Sequence, residues 1–407
     1  MKILFVCHRL PYPPKRGGKI RPFNIVKHFT EAGHIVTVAS LARSAREAEE
    51  GRDLRKHCAE VIVEVIGDWP ARLRMVARLP TAVPSSFGYF HSPELKRRVQ
   101  RALARESFDM IMVHCSSVAP YVADVAGVAK VLDFGDMDSQ KWLLYARHRP
   151  LPLAAGYWLE GRKLERTERD LATRFDLCTC TTLAELDTLR GYASRGATDW
   201  FPNGVDAAFF APEAGDFDRD TICFVGRMDY FPNEQGVLWF CRDVLPLVQK
   251  KRPKARMLVV GAAPPRSILA LAGHGGIEVT GTVDDVRPFA RRAALTVAPL
   301  FIARGTQNKI LESMAMGVPV VASAAAARGV DAEPGQDLLT GTTAAEFADA
   351  VLRILDDPAQ RRRLAEAGRQ RVLSRHSWTA SLERLDGLLS RHLGSYRRPR
   401  GEALANA

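Results

Sequence analysis

The chain has 407 residues, 46% hydrophobic and 26% charged, the balance of an ordinary globular protein of two domains or more. Its 58 Lys and Arg against 46 Asp and Glu leave a net charge of +12. That excess asks for an anionic partner: nucleic acid, a membrane surface or a phosphorylated substrate. Disorder, a disulfide scaffold and an integral membrane protein are excluded. The longest apolar runs, 293–303 and 318–327, fall short of the roughly 20 residues that span a bilayer, and the run 3–7 is too short for a signal peptide. Cys7, Cys58, Cys115, Cys178, Cys180, Cys223 and Cys241 are scattered through apolar segments. With a single C-x-C they read as small core side chains in a reducing cytoplasm rather than as a zinc site.

In chain order, 2–6, 35–39, 61–65, 110–113, 128–132 and 177–181 read as strands, apolar and often β-branched. Between them 22–32, 46–57, 93–106, 159–174 and 183–192 read as helices. The second half repeats the scheme, with strands at 221–225, 257–260, 278–280, 295–298 and 318–322. Its helices are 234–249, 266–271, 286–292, 307–316, 344–355 and 358–374, followed by a last helix at 378–393. Such alternation implies parallel sheets buried on both faces. The expected layout is an N-terminal domain at 1–200, a linker at 201–220, a C-terminal domain at 221–376, a final helix at 377–395 and a frayed tail at 396–407. The fold class is α/β: two doubly wound, Rossmann-like domains facing a cleft, with ligands at the carboxyl ends of strands.

The candidate site residues follow from that topology. After the first strand comes a loop closing on Gly17-Gly18, with Lys15, Arg16, Lys19 and Arg21 nearby. Paired glycines let backbone N–H groups approach a phosphate at a helix start. The spacing is not the dinucleotide fingerprint, which disfavours NAD; a plain β–α turn is the plainer reading. Arg227 follows the strand 221–225, where a guanidinium suits bidentate contact with a diphosphate. The richest stretch is 304–319. There Gly305 and Thr306 precede a helix on which Lys309, Glu312, Ser313 and Met316 share the face opposite the buried Ile310, Leu311, Met314 and Ala315. Helix N–H groups and Lys309 can hold a phosphate, and Glu312 one turn deeper can accept both hydroxyls of a ribose. The plainer reading is a surface ion pair. His114 ends the strand 110–113 and is a candidate general base or acceptor-orienting group. Asp133, Asp136 and Asp138, around Gly135, are candidates for a metal or acceptor hydroxyls. With no fourth ligand in view, a solvated loop is at least as good a reading.

Together these residues resemble the family-4 glycosyltransferases of the GT-B fold, which retain anomeric configuration. More narrowly they are similar to bacterial sugar transferases associated with exopolysaccharide and PEP-CTERM export systems. The match rests on the Pro13–Gly18 loop, on Pro202-Asn203-Gly204-Val205-Asp206 with Phe210 and Pro212, on Phe224-Val225-Gly226-Arg227, and on Lys309-x-x-Glu312-x-Met314-Ala315-x-Gly317-x-Pro319-Val320-Val321. Ser377-Trp378 ahead of the last helix also matches; in the family that helix crosses back to the N-terminal domain. The resemblance implies sugar transfer from a nucleotide-diphosphate donor, held mainly by the C-terminal domain, to a saccharide or lipid-linked acceptor, held mainly by the N-terminal one. It implies that Arg227 clamps the diphosphate, Glu312 the ribose, Gly17 and Gly18 a donor phosphate, and that His114 lies near the reacting sugar. Arg21, Asp136 and Asp138 are acceptor-side candidates.

Two departures stand out. Arg304 occupies the first position of the family's Glu-x7-Glu, so donor-sugar identity does not carry over. The family's lysine about five residues after the arginine is absent from Met228–Gly236, and Lys309 is the candidate replacement. With arginine, lysine and helix N–H groups neutralising the leaving diphosphate, no metal or other cofactor is expected. Retention by same-face attack and by a covalent intermediate are equally compatible with the sequence.

Rival readings are a GT-B sugar-nucleotide epimerase, which needs no acceptor, and a nucleic-acid-binding protein, for which no interleaved basic and aromatic face is found. Membrane contact accounts better for part of the charge. Trp69, Leu73 and Val76 fall on one helical stripe beside arginines, and Lys96, Arg97, Arg98, Arg101 and Arg105 follow in a nearby helix. A packed helix with a solvated basic face is the equal alternative. The expected location is the cytoplasm, with peripheral attachment to the inner membrane face.

Overall fold

The computed structural model describes residues 1–14, 17–192, 194–394 and 396. It divides into two compact units, one of Met1–Phe201 with the chain from Leu382 onward, the other of Pro202–Ser381.

The first unit is built on a seven-stranded parallel sheet. Its strands are β1 (Lys2–Cys7), β2 (Ile35–Ala42), β3 (Glu60–Val65), β4 (Met110–His114), β5 (Ala129–Asp133), β6 (Leu177–Cys180) and β7 (Ala197–Trp200), in the order β3-β2-β1-β4-β5-β6-β7. The second has six parallel strands: β8 (Asp218–Val225), β9 (Arg256–Val260), β10 (Ile277–Gly281), β11 (Ala293–Ala298), β12 (Val320–Ser323) and β13 (Leu339–Gly341), in the order β10-β9-β8-β11-β12-β13. The central strands are buried along almost their whole length, as in Ile3–Cys7, Met110–His114 and Ala293–Ala298. Helices cover both faces, which is why these segments read as unbroken apolar runs instead of alternating ones. In each sheet the winding direction reverses beside the first strand, at β1/β4 and β8/β11, where open α/β sheets bind ligands.

Several elements differ from the sequence reading. β7 and β13 are edge strands of four and three residues, too short to carry a periodic signal. Asp138–Arg147 is a helix in a stretch to which the sequence reading assigned no element beyond a possible loop at 133–138. The first helix begins at Gly17 and takes Pro22 into its interior. The helix expected over 234–249 is interrupted by a wider turn at Phe240–Val244. The physical reason is Pro246, which has no N–H for the carbonyl one turn back. The segment 201–220 is not a free linker. Pro202 onward belongs to the second unit, Asp218 opens β8, and Glu213 pairs with Arg291. The last helix starts in the second unit and from Leu382 belongs to the first. Tyr396, expected in the frayed tail, is buried and donates a 2.5 Å hydrogen bond to Asp386; 397–407 lie outside the described residues.

All seven cysteines are buried and unbridged. Burial pushes the Cys223 thiol up to about 12, as expected of small core side chains.

One backbone approach fixes the carboxyl edge of the second sheet. Gly261 follows β9 with φ at +142°, and a Cβ there would stand 1.9 Å from the Gly226 carbonyl oxygen. The Gly226 N–H donates to Val260 in the same crossing. Gly261→Ala is therefore expected to lower unfolding free energy by roughly 1–3 kcal/mol, read from urea denaturation; unchanged stability would mean that this loop relaxes freely.

Candidate active site

In the second unit three expected residues meet beyond the carboxyl ends of β8 and β11. Arg227 stands two residues after β8, and its main-chain carbonyl accepts from Asn233 Nδ2 at 2.7 Å. The other end of that amide, Oδ1, accepts from Lys309 Nζ at 2.6 Å. Asn233 is buried in the first turn of the helix Phe231–Trp239. It thus ties the loop after β8 to the helix Asn308–Ala315. The Lys309 ammonium also lies 4.3 Å from the centre of the Phe224 ring, a cation–π contact. A Cβ on Gly226 would come within 3.2 Å of Lys309 Nζ, so the glycine is what admits the cation.

No carboxylate forms an ion pair with this ammonium among the described residues; Glu312 is its nearest compensating charge. Although both side chains keep some solvent contact, protein surrounds their charged ends. Burial pushes Lys309 down and Glu312 up, each to about 7, and their mutual attraction only partly opposes it. Groups perturbed in this way, at the end of a parallel sheet, mark functional sites more often than structural ones. Ser313 and Met316, expected on the open face beside them, are buried; Ser313 Oγ donates to the Lys309 carbonyl at 2.8 Å. The helix is enclosed on nearly all sides, a property of the tertiary packing that its own periodicity does not reveal.

Ahead of the helix, Gly305 adopts φ +65°, and Thr306 Oγ1 and Asn308 Oδ1 are buried without a hydrogen-bond partner. Arg227 itself is exposed and holds Asp229 in a two-pronged pair, Nη2 to Oδ2 at 2.6 Å and Nε to Oδ1 at 3.1 Å. An exposed pair of this kind is worth little, so an arriving diphosphate can displace it.

In the first unit the carboxyl ends of β4, β5 and β6 stand level, with His114 opposite Asp133 and Asp133 opposite Thr179. The Asp133 carboxylate is fully buried and fully used. Arg21 reaches it with Nε at 2.8 Å and Nη2 at 3.0 Å, His114 Nδ1 lies at 2.8 Å, and Thr179 Oγ1 donates at 3.0 Å. The Arg21 guanidinium also stacks 3.6 Å from the centre of the Phe201 ring. Burial alone would raise the Asp133 pKa. The Arg21 charge and the hydrogen bonds reverse that and hold the carboxyl well below the usual carboxylate range. An ionised Asp133 can only accept, so His114 carries a proton on Nδ1 and its ring is oriented by that bond.

This corrects one expectation. Arg21 is 3% exposed and committed to Asp133, so it is a positioning residue rather than an acceptor contact. The three aspartates do not converge on a metal: Asp133 serves Arg21 and His114, Asp136 accepts from Thr181 at 2.8 Å, and Asp138 opens a helix. Asp136 is exposed, and burial raises the Asp138 pKa. Among the described residues no group of three or more His, Cys, Asp and Glu gathers as a metal site. Of the cations around the first loop, Lys19 turns into a 2.6 Å pair with Glu47, while Lys15 and Arg16 lie outside the described residues. Gly17 starts the helix and Gly18 is exposed within it. His8, which sequence reasoning passed over, lies 5.7 Å ring to ring from His114 with Nδ1 unpartnered. Burial and the neighbouring His114 and Arg9 lower its pKa.

Two family profiles match the chain, "Glycosyltransferase Family 4" over residues 16–209 and "Glycosyl transferases group 1" over 219–357. A GDP-mannose-dependent monoacylated alpha-(1-6)-phosphatidylinositol monomannoside mannosyltransferase of Corynebacterium glutamicum is 26% identical over 243 residues, 54% of this chain and 64% of that relative, so just under two thirds of its length is matched. Among solved structures, sucrose-phosphate synthase from Thermosynechococcus elongatus superposes with a TM-score of 0.73 at 18% identity, covering 97% of this chain and 100% of that one. Anabaena HepE in complex with UDP gives 0.68 at 16%, covering 96% and 100%. At these identities the structural likeness speaks for the fold.

Folding lowers the Asp133 pKa, so its stabilising contribution is complete above the unfolded value of about 4 and fades as pH falls through and below it. Asp133→Asn is expected to cost roughly 3–5 kcal/mol at pH 7, because it leaves Arg21 buried without its counter-charge. The difference from wild type in urea melts should shrink between about pH 4 and pH 2. A pH-independent difference would show that packing, not charge, is what the substitution removes.

Proposed function

The chain belongs to the family-4 glycosyltransferases, and on that premise we propose that it transfers a sugar, with retained anomeric configuration, from a nucleoside-diphosphate sugar to a saccharide or lipid-linked acceptor in bacterial exopolysaccharide or cell-surface polysaccharide synthesis. The observation that carries this reading is the Lys309–Asn233–Arg227 network. It holds an ammonium without a paired carboxylate at the end of a parallel sheet, beside the exposed Arg227 and the carboxylate of Glu312. The UDP of the Anabaena structure and the GDP-mannose and phosphatidylinositol-linked acceptor named for the corynebacterial relative support a nucleotide donor and an acceptor of this class.

The chemistry follows from where charge develops. As the anomeric carbon becomes oxocarbenium-like, the departing nucleoside diphosphate gains negative charge. Lys309 and the N–H groups at the start of Asn308–Ala315 are positive partners held in place before the reaction, and Arg227 joins them by exchanging Asp229 for the diphosphate. Thr306 and Asn308 offer unspent polar atoms in the same loop, and Glu312 takes the ribose hydroxyls. These cations supply the neutralisation that a metal would otherwise provide, so the proposal needs no cofactor. His114, oriented by Asp133, presents Nε2 to a substrate hydroxyl.

Lys309→Ala should reduce kcat/KM for the nucleotide sugar by about 10²-fold or more, with Lys309→Arg restoring part of it. A nucleotide-sugar screen for transfer and hydrolysis identifies the donor for that measurement. Wild-type kinetics in the alanine variant would refute the role, and isomerisation of the donor without acceptor would favour an epimerase.

We place the protein in the cytoplasm, peripheral to the inner membrane face. Among the described residues no helix is long and apolar enough to cross a membrane. The helix Asp68–Ala77 exposes Trp69 at 77%, Leu73 at 66% and Val76 at 57%, flanked by Arg72, Arg74 and Arg78. The second basic helix contributes less than its sequence suggests. Arg97 pairs with Glu94, Arg98 with Glu64, and Arg105 with Glu60. Low-salt sedimentation with vesicles rich in phosphatidylglycerol should carry the protein down, and Trp69→Ala with Leu73→Ala should release most of it. Failure of the wild type to sediment would end the membrane reading.

A further inference from the structure

The opposite edge of the second sheet carries a feature that sugar transfer does not use. A cavity of about 410 Å³ opens at the amino ends of β8, β11 and β12, within the size range of small-molecule sites. Arg219, Arg361, Arg362 and Arg369 line it, against one carboxylate, Glu366. None of the four arginines makes an ion pair among the described residues.

Most other carboxylates of this region are already committed, the exposed Asp216 being the exception. Asp220 and Asp356 hold Arg252, Asp218 holds Arg256, and Glu213 holds Arg291. Asp357 caps the helix Pro358–Arg371 by accepting from the N–H groups of Ala359 and Gln360. Two of the four arginines are fastened to neutral groups, while Arg219 and Arg362 are exposed at the rim. Arg361 is half-buried, donates from Nε to the Ala294 carbonyl at 2.9 Å and stacks 3.4 Å from the centre of Phe217. Burial with no opposing carboxylate pushes its pKa down to about 10. Arg369 donates to the Ala315 carbonyl, at the end of the helix that carries Lys309. These contacts fix the guanidinium planes and leave their charge largely uncompensated.

A solvated basic face would leave such side chains extended and mobile. Here two of the four are held by the main chain, one on an aromatic ring, around a concave space. Arg369 is thereby held with its fork ready for phosphate oxygens, and the exposed Arg219 and Arg362 at the rim can close on the same ligand. We propose that this cavity binds a small phosphorylated molecule, with Arg219, Arg362 and Arg369 taking the phosphate and Arg361 forming the wall behind it. The site is separate from the donor loop, because Arg227 and Lys309 belong to the carboxyl edge of the same sheet. The helix Asn308–Ala315 lies between the two edges, about 12 Å long at 1.5 Å per residue.

The test uses pyrophosphate as probe, at constant ionic strength. Isothermal titration into the full chain carrying Arg227→Ala and Lys309→Ala, which lacks the donor-loop cations, should still show saturable binding. Adding Arg362→Gln and Arg369→Gln should weaken it about tenfold or more, with an unchanged far-UV circular dichroism spectrum. Arg219→Gln, at an exposed side chain, should weaken binding alone and guards against a folding defect in the multiple variant. No binding to the first variant, or equal affinity in all of them, would overturn the proposal.

Discussion

Enclosing a positive charge in protein is costly, and Arg21, Lys309 and Arg361 meet that cost with three different kinds of partner. Arg21 meets the carboxylate of Asp133, two hydrogen bonds at 2.8 and 3.0 Å in a fully enclosed setting. Lys309 meets an amide oxygen and an aromatic face, with Glu312 as the nearest opposite charge. Arg361 meets a carbonyl and a phenyl ring. A buried guanidinium with a bidentate carboxylate is electrostatically complete and serves to position what surrounds it. An enclosed cation met only by neutral dipoles still attracts an anion, and at Lys309 and Arg361 such a cation stands beside open space or a sheet's carboxyl edge.

The completed pair organises the first unit. Because β4, β5 and β6 end level with one another, Asp133 faces His114 on one side and Thr179 on the other, while the helix after β1 delivers Arg21. The carboxylate stays ionised because Arg21 is there. The histidine carries a proton on Nδ1 because the carboxylate is ionised. The uncompensated cation organises the second unit. Asn233 uses both ends of its amide to bind Lys309 to the loop of Arg227, and the close crossing of Gly261 over Gly226 holds that loop in place. Gly226 leaves room for the ammonium, and Gly261 leaves room for the Gly226 backbone.

Much of the architecture was legible in the residues themselves. Apolar runs such as Ile3–Cys7 and Ala293–Ala298 have no polar face to misread, and their alternation with amphipathic stretches specifies parallel sheets. His114 and Arg227 could be singled out because they follow strand ends, and Lys309 because it opens the helix after β11. Short elements were illegible for the converse reason: β7 and β13 bury little and carry no period. The helix at Asp138–Arg147 was hidden by aspartates that looked like ligands and proved to include a helix-opening residue.

The sequence by itself determined that this chain makes two parallel α/β sheets, that its cysteines belong to cores, and that its motifs are those of a family-4 glycosyltransferase. Those properties depend on local pattern and on short spacings. Only the tertiary structure decided which charges are spent and which are available. Arg21 and Arg361 have the same side chain, yet one finds Asp133 at a distance of 112 residues and the other finds no carboxylate. Asn233 is an unremarked polar residue until the fold brings it within 2.6 Å of Lys309, 76 residues away. Electrostatic partnership falls off over a few ångströms, so it is fixed by strand register and helix placement, which the order of residues specifies only through folding.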